Sequence, residues 1–112
     1  MIDKVSKITY LDIANYIRID ATGDDLLKKE LETYLNIAKN YIVNYTGIPE
    51  KSINDSDKIE TLDSYSDFII VVYILCQDMF DNRSMYVDSN NINNTVQTIL
   101  DMHRRNLLWV TL

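Results

Sequence analysis

Apolar residues recur with helical spacing in four segments of the chain. The clearest segment opens at Asp24 or Asp25, where a carboxylate suits the positive end of a helix. Gly47, just past its last apolar residue, and Pro49 are typical of a helix end. The pattern predicts a helix of about 22 residues, roughly 30 Å long. Its apolar stripe, at a period of 3.6 residues, consists of Leu27, Leu31, Tyr34, Leu35, Ala38, Tyr41, Ile42 and Tyr45.

A shorter segment precedes it, from about Tyr10 to Arg18. Thr9 can cap this helix, and Asp12, three residues later, can complete a capping box. A turn follows and ends at Gly23, which can adopt a positive φ. The narrow apolar stripe of this first helix consists of Leu11, Ala14 and Ile17.

The third segment is apolar on every side. We predict that it begins near Asp63 or Ser64, with Ser64 and Asp67 in a capping arrangement, and runs to about Arg83. A β-strand is the alternative, because Ile, Val, Phe and Tyr favour strands. The pattern continues through Phe80 without a turn residue, and this length favours a helix. Such a helix must be covered on all sides, and a neighbouring subunit could contribute to that cover.

The fourth helix is predicted from Asn94 or Thr95 to Arg105, with Asp101 and Arg105 as an i,i+4 pair. Residues 48–62 and 84–91 are polar and are expected to form loops, whereas the tail, residues 106–112, is apolar. The apolar face of the fourth helix carries Val96, Ile99, Leu100 and His103.

These segments predict an all-α fold. Residues 1–112 are expected to form one domain, a small bundle of about four helices with two long central helices, polar loops and an extended C-terminal tail. The presence of only two glycines and one proline supports a few long helices over a sheet with many turns.

The net charge of −6 changes the expected partners. A surface that binds DNA tightly needs clustered Lys and Arg, and this chain is acidic. The acidity can serve solubility alone, or it can have a functional use. The longest apolar run, Phe68 to Cys76, is too short for a bilayer, which needs about 20 residues, so no membrane partner is expected.

The sequence offers little reactive chemistry. With one His and one Cys, no His/Cys metal cluster can form within one chain, and no phosphate-binding or nucleophile motif occurs. We interpret His103 as a packed side chain rather than a base. Asp24 and Asp25 are interpreted as helix-capping residues, and Asp78 and Asp81 as part of an ion-paired helix end with Arg83. We therefore predict no enzymatic activity, no cofactor and no metal.

Three patterns together resemble the head–tail connector (adaptor) family of long-tailed bacteriophages and prophages, over roughly residues 8 to 105. The first is the run Ile17-Arg18-Ile19-Asp20, followed by Asp24-Asp25-Leu26-Leu27 and a long helix that closes with Ala38, Tyr41-Ile42 and Tyr45-Thr46-Gly47. The second is the helix ending Met79-Phe80-Asp81-Asn82-Arg83. The third is the final helix with Val96 and Ile99-Leu100-Asp101-Met102-His103-Arg104.

The resemblance implies an architectural role at the head–tail junction of a virion, after assembly in the host cytoplasm. Members of this family form a closed ring, usually of twelve subunits, which lies beneath the portal protein and extends the DNA channel. The implied partners are other copies of the chain, the portal protein, and the next connector, stopper or tail-completion protein. DNA would pass through without sequence-specific binding, and a net negative wall would repel its phosphates.

Two sets of residues are candidates for the contacts of such a ring. For the heterologous subunit interface we expect the second and third helices to contribute Tyr34, Phe68, Val72 and Phe80. For docking onto the portal we expect the apolar tail to contribute Leu107, Leu108, Trp109 and Val110.

The alternative is a small acidic helical protein unrelated to virions, which self-associates or regulates. A short helix, a turn and a longer helix can mimic a helix-turn-helix motif. A recognition helix, however, starts with side chains that read bases, whereas Asp24 and Asp25 would face phosphates with like charge.

Overall fold

A computed structural model of the protein describes residues 4–50, 61–88 and 91–104. These residues form four α-helices and no strand: α1 (Tyr10–Ile17), α2 (Asp25–Thr46), α3 (Phe68–Asn82) and α4 (Asn94–His103). Two short 3₁₀ turns, Val5–Lys7 and Leu62–Ser64, precede α1 and α3. The all-α prediction is confirmed.

Local hydrogen bonds set the ends of α1 and α2 where the sequence predicts them. Thr9 and Asp12 form the expected capping box, with the Thr9 N–H donating to the Asp12 carboxylate at 2.8 Å. The Leu27 N–H donates to Asp24 at 3.0 Å, and Gly47 ends α2 with a φ of 78°. One detail differs: Arg18 is not the last helical residue of α1 but its left-handed cap, with a φ of 70°.

The start of α3 is later than predicted. Thr61 and Ser64 form a capping box around the separate 3₁₀ turn, and Tyr65 is extended, so the chain leaves the helical conformation before Phe68. Asp67 precedes α3 but makes no side-chain capping bond, and the predicted Ser64–Asp67 cap is therefore wrong. The apolar run itself is helical, as expected.

The fourth helix, α4, begins at Asn94, as predicted, and ends at His103. The Asn93 side chain accepts a hydrogen bond from the Thr95 N–H at 2.7 Å. The predicted partner of Asp101, Arg105, lies outside the described residues. Within them, Asp101 accepts hydrogen bonds from the Tyr45 hydroxyl and from Gln97, so α4 is held to the end of α2.

The core lies where α1, α2 and α4 pack around α3. Contacts between the helices place the end of α3 beside the start of α2, and the end of α4 beside the start of α3. Both α2 and α4 therefore run antiparallel to α3. The largest fully buried side chains include Tyr34, Phe68, Ile13, Leu31, Ile42, Leu75, Met79 and Leu100. Among the described residues, no helix is both long and apolar enough to cross a membrane.

Candidate interaction surface

An ion pair joins the start of α2 to the end of α3. Arg83, in the left-handed conformation with a φ of 49°, ends α3 and donates from one guanidinium nitrogen to both carboxylate oxygens of Glu30, at 2.7 and 2.9 Å. The same carboxylate accepts a hydrogen bond from the Tyr34 hydroxyl. The predicted pairing of Arg83 with Asp78 and Asp81 is wrong, because Arg83, in its left-handed conformation, pairs with Glu30 of α2.

The Tyr34 phenol is held in its neutral form by this arrangement. Its side chain is buried, and burial, together with the hydrogen bond to Glu30, raises the pKa of Tyr34 to about 12. The Arg83 charge acts in the opposite direction but is the weaker influence. Tyr34 thus fixes the Glu30 carboxylate from the core side, while Arg83, whose side chain is 63% exposed, holds it from the solvent side.

Large apolar side chains close in sequence to the two members of this ion pair are exposed. Leu26 lies one turn before Glu30 and is 81% exposed, and Met85 and Tyr86 follow Arg83 and are 60% and 63% exposed. Exposed apolar groups gathered in one region are typical of protein–protein contact sites. We refer to Leu26, Arg83, Met85 and Tyr86 together as the Arg83 surface.

A cavity of about 450 Å³ adjoins the Arg83 surface, between the last turns of α3 and the segment that follows it. Its lining combines apolar side chains with carboxylates and amides. Partial burial, and then the nearby charge of Asp81, raise the pKa of Asp78 in its wall. The lining residues are Leu75, Asp78, Met79, Asn82, Ser84, Tyr86, Val87, Asp88, Asn91 and Ile92.

The four residues predicted for the subunit interface lie mainly in the core of the chain. Tyr34, Phe68 and Val72 are 0–1% exposed, and Phe80 is half-buried beneath the Arg83 guanidinium, 4.2 Å from its ring centre. Their apolar character is therefore satisfied within one subunit. A partner that binds the folded subunit meets the exposed side chains instead, and Phe80 is the only one of the four near such a surface. The predicted docking residues Leu107 to Val110 lie outside the described residues.

The other end of α3 is closed. The His103 ring lies against Tyr65 and Phe68, with ring centres 4.1 and 5.0 Å away, and its Nε2 is 2.7 Å from the Asp67 carboxylate. This is the packed position that the sequence predicts for His103. A second exposed apolar area lies on α1 and α3. There the rings of Tyr16 and Tyr73 stack at 4.9 Å, and Ile70, three residues before Tyr73, is also exposed.

Reactive groups are few in the part of the chain that the structure describes. Within residues 4–50, 61–88 and 91–104, no group of three or more His, Cys, Asp or Glu side chains could hold a metal ion. Cys76 is buried, and burial raises the pKa of its thiol to about 12, so it is a poor nucleophile in the folded chain.

Sequence reasoning missed the Arg83 surface, although two signals were present. Leu26 is apolar but lies off the stripe of α2, and Met85 and Tyr86 are large apolar residues in a segment predicted to be a polar loop. An apolar residue that the periodicity does not bury is a candidate for an intermolecular contact. The pairing of Glu30 could not be predicted in this way, because Arg83 is distant in the sequence and Tyr34 lies in the same helix.

No protein-family model matches the chain, and no curated protein or solved structure matches it significantly.

Proposed function

We propose that this chain is a head–tail connector subunit of a tailed phage or prophage, which forms a ring with other copies beneath the portal protein. The observation that carries the proposal is that residues of the resembling motifs lie at helix ends. Arg18, Asp24, Gly47 and Arg83 all stand at helix ends. They determine where helices start and stop, and such positions are expected to recur in a family that shares this arrangement.

The Arg83 surface gives this proposal a physical basis. A closed ring of identical subunits needs two different patches on each copy, one for each neighbour. The Arg83 surface supplies one apolar patch, and the area formed by Tyr16, Tyr73 and Ile70, on α1 and α3, supplies another. In the ring, the acidic balance of the chain would keep the channel from holding DNA phosphates.

The proposal is tested by mixing the purified chain with the portal protein encoded in the same genome. We expect the two proteins to co-purify on size exclusion, and electron micrographs of the complex to show a second ring on the portal. A chain that neither co-purifies nor adds density to the portal would contradict the connector role.

Within the same experiment, deletion of residues 107–112 tests the predicted docking role of the tail. We expect weaker portal binding with unchanged helical circular dichroism, because the apolar tail would provide contact area rather than core packing. Loss of helicity on deletion would show instead that the tail belongs to the fold.

The alternative role, a helix-turn-helix-like regulator, is distinguished by binding to duplex DNA. Asp24 and Asp25 lie at the start of α2 and would face phosphates with like charge, so we expect no binding at moderate salt. Tight, salt-sensitive binding would instead favour the regulator.

A further inference from the structure

Two arginines end helices of this fold in the left-handed conformation, and their ionic partners differ. Arg18 ends α1 with a φ of 70°, and Arg83 ends α3 with a φ of 49°. Arg83 binds Glu30, whereas neither of the two ion pairs formed among the described residues includes Arg18. Arg18 is exposed and follows Tyr16, a member of the apolar area on α1 and α3, by two residues. Its guanidinium can therefore bind a carboxylate of another molecule beside that area.

Two carboxylates lie one turn apart near the end of α3. Asp78 and Asp81 are both exposed, and their spacing of three residues places their side chains on the same side of the helix. Partial burial, and then the charge of Asp81, raise the pKa of Asp78, so the two carboxylates repel each other. A guanidinium placed between them would relieve this repulsion, because its planar set of N–H donors can bind two carboxylates at once.

The two carboxylates are close in sequence to the Arg83 surface, as Arg18 is to the apolar area on α1 and α3. Arg83 itself is paired with Glu30, so its charge is already matched within the chain. One apolar area therefore carries an arginine, and the other carries a pair of acids. A heterologous interface joins two different patches of identical subunits, and opposite charges on the two patches fix how they align.

We propose that neighbouring copies of the chain join through Arg18, whose guanidinium binds Asp78 and Asp81 of the next copy. The apolar area on α1 and α3 would then cover part of the Arg83 surface of that copy and remove apolar groups of both from water. This inference rests on the proposed function, because it specifies the contact between adjacent subunits of the ring. The net charge of −6 opposes the approach of two copies, but physiological salt screens charges more than about 8 Å apart, and a close pair is screened less.

Charge reversal on either side of the contact tests this pairing. Arg18→Glu and Asp81→Arg should each weaken self-association of the full chain about tenfold, because each replaces an attraction by a repulsion. Sedimentation velocity over a series of protein concentrations measures the association, and circular dichroism checks that each variant is folded.

The two variants should also restore each other. An equimolar mixture of Arg18→Glu and Asp81→Arg should associate nearly as tightly as the unaltered chain, because the reversed charges of the two variants attract. A chain that carries both substitutions should do the same by itself. Arg104→Glu and Glu32→Arg are the matched controls, since they make the same changes of net charge at exposed positions outside both apolar areas. Each control should leave self-association unchanged.

Three outcomes would overturn the inference. These are equal weakening by the controls, a mixture that does not recover association, or an unaltered chain that stays monomeric both alone and with the portal protein. Failure of the connector role gives a different result, in which the portal does not co-purify while charge reversal and its rescue hold. Conversely, a ring on the portal that Arg18→Glu leaves intact would support the connector role and exclude this contact.

Discussion

The two ends of α3 are built from the same kinds of residue but differ in how they meet solvent. At its start, Asp67 pairs with His103, and the imidazole is enclosed by the rings of Tyr65 and Phe68. At its end, the Arg83–Glu30 pair lies at the surface, next to a cavity and exposed apolar side chains. The first end buries its aromatic rings and completes the core. The second leaves apolar area uncovered, which is what a subunit that assembles with partners requires.

The difference also shows why an apolar helix does not by itself locate an interface. The apolar side chains of α3 that seemed to need a partner, such as Phe68 and Val72, are covered by the other helices of the same chain. At the second end of α3, apolar groups remain uncovered because the chain turns away there and no helix packs beside the last residues. We therefore expect substitutions at the start of α3 to lower the stability of the fold, and substitutions near its end to weaken assembly.

The largest expected effect comes from truncation at the closed end. Phe68→Ala should lower the free energy of unfolding by about 3–5 kcal/mol, since it removes a fully buried ring. Tyr86→Ala, a truncation at the open end, should change it by less than about 0.5 kcal/mol. Urea unfolding followed by circular dichroism measures both. Similar losses of unfolding free energy for Phe68→Ala and Tyr86→Ala would contradict the difference between the two ends of α3.

A smaller effect is expected at high pH, through Tyr34. In the unfolded chain its phenol ionises near the ordinary pKa of 10.0, whereas in the fold the pKa is raised to about 12. The stability that this difference contributes is fully present below pH 10 and is lost as the pH rises towards 12, by at most about 1.4 kcal/mol per pH unit. The buried Cys76 thiol, whose pKa is also raised, acts in the same direction.

Tyr34→Phe isolates the contribution of the tyrosine, because Cys76 is unchanged in both proteins. We expect the stability of the variant, measured by urea unfolding between pH 9 and about 11.5, to fall less steeply than that of the unaltered chain. Parallel profiles for the two proteins would mean that the Tyr34 hydroxyl is not enclosed between the core and Glu30.

The smallest effect on stability is expected for Leu26→Ser. The side chain is 81% exposed, so the free energy of unfolding should change by less than about 0.5 kcal/mol. Binding to the portal or to a neighbouring copy should nevertheless weaken, because the variant removes apolar area from the Arg83 surface. Leu35→Ser, which replaces a buried side chain and should destabilise the fold, serves as the control. If the Leu26→Ser variant co-purifies with the portal as well as the unaltered chain does, Leu26 is not part of the contact.

Local features of the sequence were sufficient to predict much of the fold. The limits of α2 follow from Asp24 and Gly47, since each satisfies or ends backbone hydrogen bonds within a few residues. The start of α3 was predicted too early, because Thr61 and Ser64 bond to each other and form a separate turn. Two capping arrangements so close together compete, and the pattern of apolar residues does not say which one opens the helix.

Capping, periodicity and charge act over a few residues, so the amino-acid sequence is sufficient to predict a helical, acidic protein and most of its helix ends. Which apolar side chains are covered, and which charges form pairs, follows from the packing of the helices. Glu30 and Arg83 are far apart in the chain, and Leu26 and Leu31 are equally apolar, but one is exposed and the other buried. Such outcomes depend on how whole helices pack, and a short stretch of sequence does not specify that packing.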